Sequence, residues 1–307
     1  MTVAGSKTQF DLFLEQEAAR VRGVYFPVKT DLLRRRLIRE ADCDRLHPNP
    51  DDEFCMPEIG PNYKIISDYQ QQYLAAIKMA QPYYDGEPII VERTHPDGYM
   101  IVNGHHRWAA ALRMGQSRIP IRIVNLMHEE DVRAILANSR HTRRVALDLD
   151  EEVFRAPEDG AVERALPFPW DRVFPERIRL GVPALFHFLA KRGYDIWLYS
   201  SQYYSADYIR NCFARYHVKV DGVLTAVGKK GPAGGESGRK LEKLITDKYD
   251  HTLHIDSAAA VWISKKEKSF RDVQLSGNAE SWSREVMEAV EALEKAAEDR
   301  NGHESIL

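Results

Sequence analysis

Apolar positions recur along the chain with two periods, and the change of period marks its elements. Phe10, Leu12, Phe13, Leu14 and Ala18 stand near helical spacing, which predicts a first helix. TDLLRRRLIREAD predicts a second, basic helix opening at Thr30, whose hydroxyl oxygen suits the N-cap role. After the polar turn HPNPDDEF a helix is expected over Ser67–Met79. PIIVER and YMIVNG then read as strands joined by the turn HPDG. HHRWAAALRMG reads as a helix stopped at Gly115, and IPIRIVNL as an alternating, β-branched strand.

Beyond a connecting helix in HEEDVRAILANSRHTRR the rhythm becomes regular. VALDLD, YDIWLYSS, DGVLTAV and HTLHIDS read as strands. PALFHFLAKRG, YYSADYIRNCFARY and GRKLEKLITDKY read as the helices between them, with a Gly stop at Gly193. Strand–helix alternation predicts a parallel sheet with helices on both faces. The Gly-rich run 229–238 is expected as a mobile loop, and AESWSREVMEAVEALEKAAEDR as a final amphipathic helix that docks on its own domain. The overall class is α/β. A mixed α+β domain over 1–140, with a helical extension at its start, precedes a Rossmann-like domain over 141–307. The boundary is placed near His141–Arg143.

Composition narrows the function. The 307 residues are 44% hydrophobic and 29% charged, enough apolar content for two cores and unlike a disordered chain. The net charge of -3 removes the simplest argument for nucleic acid, a strongly basic chain, so nucleic acid is not the favoured partner. The Arg34–Arg36 run reads as a solvated helix face or a phosphate-contacting patch. Cys43, Cys55 and Cys212 lie far apart and form no CxxC pair, which argues against a disulfide framework and for a reducing, cytoplasmic setting. No signal-peptide core or membrane-length apolar run is present, so no membrane partner is expected.

Candidate chemistry gathers in two places. Asp148 and Asp150 end the VALDLD strand, and residues two apart in a strand point to the same side. Their carboxylates are therefore expected together at the carboxyl edge of the sheet, where open α/β sheets bind ligands. Like charges that close need a cation, a shared proton or solvent, and oxygen-only ligands suit Mg²⁺. Neighbouring strands end in Ser200 and Asp256. A merely solvated acidic edge is the alternative.

This ordered set resembles the haloacid dehalogenase (HAD) superfamily of phosphatases and phosphotransferases over residues 145–275. DLDEE stands for its first motif, IWLYS for its second and LHID for its fourth. The resemblance implies phosphomonoester hydrolysis with Asp148 as nucleophile, Asp150 as general acid–base and Ser200 binding the phosphoryl group. It implies Mg²⁺ held by Asp148, Asp150 and Asp256. The motif-three lysine is drawn from Lys229, Lys230, Lys240 and Lys243, with Lys240 preferred. Glu152 stands where the family has Thr or Val, and Asp256 lacks a second acid beside it, so an inactive copy of the site is an alternative. The short stretch between Asp150 and Pro183 implies that no large cap is inserted there.

The second place is NGHHRWAAA, where a strand runs into Gly104 and a helix opens with His105, His106 and Arg107. Helix N-termini carry unpaired N–H groups that attract phosphate, and Arg107 offers a bidentate fork. A helix cap with a buried His is the structural alternative. The segment resembles the ParB/sulfiredoxin-like fold over roughly residues 50–128, in a form closer to its free-serine-kinase branch. The resemblance implies binding of ATP/ADP or CTP through Gly104, His105, His106 and Arg107, with an upstream carboxylate, Glu58 or Glu53, as base. A phosphorylated small molecule or nucleotide is the expected partner. A nucleotide-dependent DNA-binding, partition-like protein and a nuclease are the alternatives. Tyr63, Tyr69, Tyr73, Tyr83 and Tyr84 are expected as packing residues, with base stacking as the other reading.

Overall fold

In a computed structural model that describes residues 7–79, 86–227, 236–265 and 268–304, the first helix, α1 (Gln9–Val21), starts at a reciprocal cap. The Thr8 hydroxyl accepts from the Asp11 N–H, and the Asp11 carboxylate accepts from the Thr8 N–H. β1 (Phe26–Pro27) follows, and then α2 (Leu32–Leu37). The cap of α2 is Asp31 rather than the expected Thr30. Asp31 Oδ1 accepts from Arg34 N at 2.9 Å, whereas Thr30 is buried and its N–H is bound by Asn125 Oδ1 at 2.9 Å. α2 also ends early, because β2 (Glu40–Asp42) pairs antiparallel with β6 (Arg118–Ile123). β3 (Leu46–His47) leads to α3 (Tyr63–Lys78), which opens four residues before the expected Ser67 because Asn62 Oδ1 caps Lys64 N and Ile65 N.

β4 (Ile89–His95), β5 (Tyr99–Asn103) and α4 (His105–Arg113) stand where the periodicity places them. The sheet order is β2-β6-β4-β5-β3, with β1 added on β4. β4–β6 and β3–β5 are parallel, and the remaining pairs antiparallel. Ile89, Val91, Ile101, Ile121 and Ile123 share one core with Trp108–Ala111 of α4 and with Leu14, Ile66 and Tyr73. Tyr63 and Tyr69 pack against that core, as expected. Tyr83 and Tyr84 lie outside the described residues.

The chain divides after Leu126. α5 (Glu129–Asn138), read as a connector ahead of His141–Arg143, belongs to the second unit and buries Val132 in its core. That unit continues with β7 (Arg143–Asp148), a single wide turn (Leu149–Val153), β8 (Phe154–Arg155), α6 (Trp170–Val173), β9 (Arg177–Ile178) and α7 (Val182–Lys191). β10 (Tyr194–Tyr199), α8 (Ala206–Arg215), β11 (Gly222–Leu224), α9 (Glu236–Lys248) and β12 (His251–Ile255) follow. β13 (Ala259–Ser264), β14 (Ser269–Gln274) and α10 (Trp282–Glu304) complete it.

The strand order is β11-β10-β7-β12-β13-β14. The first four strands are parallel, and β13 and β14 run antiparallel at one edge. The sheet is thus mixed, not the wholly parallel one expected. The chain moves outward from β7 through β10 to β11 and returns to the other side of β7 with β12. That reversal makes β7 a topological switch point. Leu185, Phe186 and Leu189 of α7, Ile209 and Phe213 of α8, Ile245 of α9 and Val286 and Val290 of α10 join Val145, Leu147, Ile196 and Leu198 in one core. α10 therefore docks on its own unit. No helix among the described residues is long and apolar enough to cross a membrane. The run 229–238 lies outside the described residues as far as 235.

Gly222 is required by packing. A Cβ there would stand 2.1 Å from Cε3 of the fully buried Trp197. Gly222→Ala is expected to cost at least about 1–3 kcal/mol of stability, read as a lower denaturant midpoint with an unchanged slope.

Candidate functional site

The parallel register delivers the first set of residues. Tyr199 pairs with Asp148 and Ile255 with Leu147, so Ser200 and Asp256 leave their strands beside the end of β7. Asp148 Oδ1 accepts from Asp150 N at 2.7 Å and Glu151 N at 2.8 Å, which anchors the wide turn on the strand end. Among the described residues its bonds go to that one oxygen. Asp150 is turned toward the end of β10. Ser200 Oγ donates to its two oxygens at 2.8 and 3.0 Å, Ser201 N donates at 2.7 Å and Ser201 Oγ at 3.0 Å. Ser200 Oγ in turn accepts from Gln202 N. Asp256 Oδ1 accepts from Ala258 N and Ala259 N, both at 2.7 Å.

These acids share one edge without forming a three-acid group. Among the described residues no three His, Cys, Asp or Glu are gathered so as to hold a metal ion. The reason is local, since Asp150 is occupied by Ser200 and Ser201. Asp148 and Asp256 still fit Mg²⁺ by donor type, because that ion keeps much of its water and often takes only one or two carboxylates. Lys240 Nζ pairs with Glu129 Oε2 at 2.7 Å. Lys229 and Lys230 lie outside the described residues. Between Asp150 and Pro183 the chain forms hairpin β8–β9 and the short α6.

Glu152, the departure in the first motif, has a structural role that sequence reading missed. It is 5% exposed, and its carboxylate meets Arg179 Nη1 at 2.9 Å and Ser257 Oγ at 2.8 Å. The Arg179 guanidinium also lies 3.9 Å from the Trp282 ring centroid. The buried ion pair thus ties the wide turn after Asp148 to the segment after β9, and the Ser257 bond ties the same carboxylate to the loop carrying Asp256. Phe154 and Tyr208 flank Tyr204 beyond Ser200, with centroid distances of 6.0 and 6.3 Å. Tyr199 is held below the edge by Arg144, whose Nη1 donates to its hydroxyl at 2.7 Å.

The second set surrounds the start of α4. Gly104 caps that helix at φ 102°, a left-handed conformation that suits glycine, and a Cβ would stand 3.0 Å from Arg107 Nη2. His105 is buried and its Nε2 accepts the Asn49 N–H at 3.2 Å. His106 Nε2 accepts the Asn62 N–H at 3.1 Å. Phe54 stacks on His105 at 5.3 Å and meets His106 edge-on at 5.0 Å. Arg107 is buried, with Nη1 donating to Glu87 O and Nη2 to Asn103 Oδ1. The imidazoles and the guanidinium therefore hold loops 47–62 and 87–89 around the helix start. Glu58 sits exposed in the turn before Gly60. The acid facing His105 is instead Asp52, 3.7 Å from Nδ1, which sequence reading did not single out. Its signal was the Asp51-Asp52 turn, but the partner lies far along the chain.

Both N–H···Nε2 bonds require an unprotonated Nε2. Burial pushes His105 down to about 4, against the pull of Asp52 and with His106 adding to the depression. Burial likewise lowers His106, again opposed by Asp52. His47 in the same loop is lowered by burial, opposed by Glu17 and Asp97 and helped by Arg20. Depressed histidines bind more protons unfolded than folded, so their contribution is complete above the unfolded value of 6.5 and is lost as pH falls toward 4. Amide exchange of Asn49 and Asn62 is expected to accelerate between pH 6.5 and 4, beyond the intrinsic pH dependence. His106→Gln is expected to flatten that response at Asn62.

Residues 75–140 match the model of the ParB N-terminal domain, a span that holds β4, β5, α4 and β6. No curated protein matches the chain. Two solved structures of a free serine kinase in complex with AMP, one of them a mutant, are similar at 14% identity. Each match covers 76% of this chain and 86% of theirs, with TM-scores of 0.22 and 0.21. At those TM-scores the likeness lends no weight to fold or function. The class in evidence is a mixed α/β protein with a ParB-type segment around the GHHR helix.

Proposed function

We propose that the second unit hydrolyses phosphomonoesters through Asp148, and that the ParB-like unit binds a nucleotide phosphate at the start of α4. The observation that carries the first half is the register that brings Asp148, Asp150, Ser200 and Asp256 to the carboxyl ends of adjacent parallel strands at the switch point. In this reading a carboxylate oxygen of Asp148 attacks phosphorus and the bond to the leaving oxygen breaks, with Asp150 supplying the proton. Asp150 then takes a proton from water, which attacks phosphorus and releases phosphate from Asp148. Ser200 and Ser201 hold Asp150 in place. Mg²⁺, when bound by Asp148 and Asp256, supplies neutralisation of phosphoryl charge. The phosphate cradle of the first unit is the set of N–H groups opening α4, with Gly104 allowing close approach.

The test is phosphate release from a panel of sugar phosphates, nucleotides and an aryl phosphate, with Mg²⁺ and with chelator. Turnover on at least one monoester is expected. Asp150→Asn is expected to lower kcat by about 10²–10⁴-fold, the usual contribution of a positioned acid–base. Full kcat in that variant would remove Asp150 from the mechanism.

The ParB N-terminal match favours a second reading, a nucleotide-dependent DNA-binding protein whose second unit serves another purpose. Retention of plasmid DNA in a salt-sensitive gel shift, strengthened by CTP or ATP, supports it. Absence of any shift at low salt removes it.

A further inference from the structure

The second unit carries a cavity of about 960 Å³ at the edge of its sheet opposite the acids. It is lined by the end of α5, the residues leading into β7, the second residue of β10, the last turns of α8 and the segment that enters β11. All of these lie at the amino ends of the parallel strands. Six-residue β7 separates this edge from Asp148 by roughly 20 Å.

Two features set the cavity apart from an ordinary surface dent. The first is a buried polar chain on its floor. Asp195, 4% exposed, accepts from His141 Nδ1 at 2.8 Å, from the Ser139 hydroxyl and from the Tyr249 hydroxyl at 2.6 Å. Trp197 Nε1 donates to Tyr249 in turn at 3.0 Å. The carboxylate is thus spent on inward donors, and it fixes His141 with Nδ1 inward and Nε2 free of it. The second feature is a set of donors that have hydrogen-bonding capacity left over. Arg210 lines the cavity with its Nε buried and unpartnered, while its Nη2 donates to Asp221 O at 2.6 Å. Burial lowers the Arg210 pKa against the pull of Asp131, Asp221 and Asp207. Asp221, the other acid of the lining, is paired with Lys219 at 2.6 Å and accepts from Ile196 N at 2.9 Å. Arg140 adds a further exposed cation. Asp195 and Asp221 are thus spent, whereas Arg210 Nε, His141 Nε2 and the Arg140 guanidinium have no hydrogen-bond partner among the described residues.

We propose that this cavity is a binding site for a phosphate group, separate from the acid edge and from the α4 start, with Arg140, His141 and Arg210 as its ligands. Donors on two separate segments, Arg140 and His141 ahead of β7 and Arg210 on α8, can approach a tetrahedral oxyanion from different sides, which a planar carboxylate matches less well. Lining residues Ile135, Ala214 and Val218 give room for an apolar portion, which makes a small phosphate monoester the natural occupant and inorganic phosphate its minimal form. The inference does not rest on the proposed chemistry at Asp148.

Calorimetric titration of the full chain with inorganic phosphate, glycerol phosphate and acetate, in the presence of chelator, tests it. Chelator leaves the acid edge with no cation to offer an anion. Phosphate and glycerol phosphate are expected to bind more tightly than acetate. The double variant Arg140→Gln/His141→Gln is expected to weaken phosphate by about tenfold or more, as loss of charge-assisted bonds does. Arg210→Gln is expected to do the same, while Asp148→Asn and Arg107→Gln leave the binding at this site in place. Tighter binding of glycerol phosphate than of phosphate identifies a monoester as the occupant, and equal binding identifies the free anion, either of which supports the site. Because Arg210 also supports Asp221, the exposed Arg140/His141 pair is the deciding variant, with its unfolding midpoint compared with the parent chain. Unchanged affinity in that folded variant, equal affinity for acetate, or no binding of any anion would overturn the proposal.

Discussion

Asp148→Asn is expected to abolish phosphate release, lowering kcat by at least about 10³-fold, because the amide is a far weaker nucleophile than the carboxylate and no nearby group replaces it. Folding is expected to survive. Asp148 uses Oδ1 to cap Asp150 N and Glu151 N, and an asparagine side-chain oxygen accepts the same two bonds. Unchanged unfolding midpoint with lost turnover therefore separates chemistry from structure. Turnover that persists at the parent rate in a purified variant places the reaction elsewhere.

The second large effect concerns stability. Glu152→Ala is expected to destabilise the second unit by about 3–5 kcal/mol, the cost of leaving one partner of a buried ion pair uncompensated. Arg179 is 2% exposed, with Glu152 Oε2 at 2.9 Å and the Trp282 ring on another side. Removing the carboxylate strands that guanidinium and deprives Ser257 of its acceptor. The double variant Glu152→Leu/Arg179→Met is expected to recover most of the loss, since apolar replacement of a buried pair is often neutral. Urea denaturation of the parent chain, Glu152→Leu, Arg179→Met and the double variant gives the coupling directly. A loss below about 1 kcal/mol for Glu152→Ala would mean that the pair is solvated in solution.

The features legible in the sequence are those carried by local pattern. The strands ending in Asp148, Ser200 and Asp256 are short apolar runs closed by a polar residue, and runs of that kind are visible without a partner. Gly115 and Gly193 marked helix ends because both take positive φ, 68° and 78°. β2 and β3 were missed, since two or three residues carry no period. β13 and β14 were missed because KKEK separates two short alternations. Thr30 and Asp31 are adjacent capping residues, and the choice between them is made by Asn125, 95 positions away.

The same distinction holds at the sites. The shared edge of the acids follows from strand ends alone. The Glu152–Arg179 pair spans 27 positions and the His105–Asn49 bond 56, so neither was readable from spacing. The histidines of GHHR drew attention as anion ligands by residue type. Their observed bonds to Asn49 and Asn62 arise because a buried imidazole is favoured neutral, and a neutral Nε2 accepts a backbone N–H.

The most direct test of the central claim is to look for phosphate on Asp148 itself. Asp150→Asn, mixed with a turned-over monoester and quenched in acid, should carry a phosphoryl group that mass spectrometry maps to residue 148 and that neutral hydroxylamine removes. The account predicts that adduct on residue 148, its accumulation above the level in the parent chain, and its absence from Asp148→Asn. Turnover by the parent chain with no acyl-phosphate, or an adduct on another residue, contradicts it.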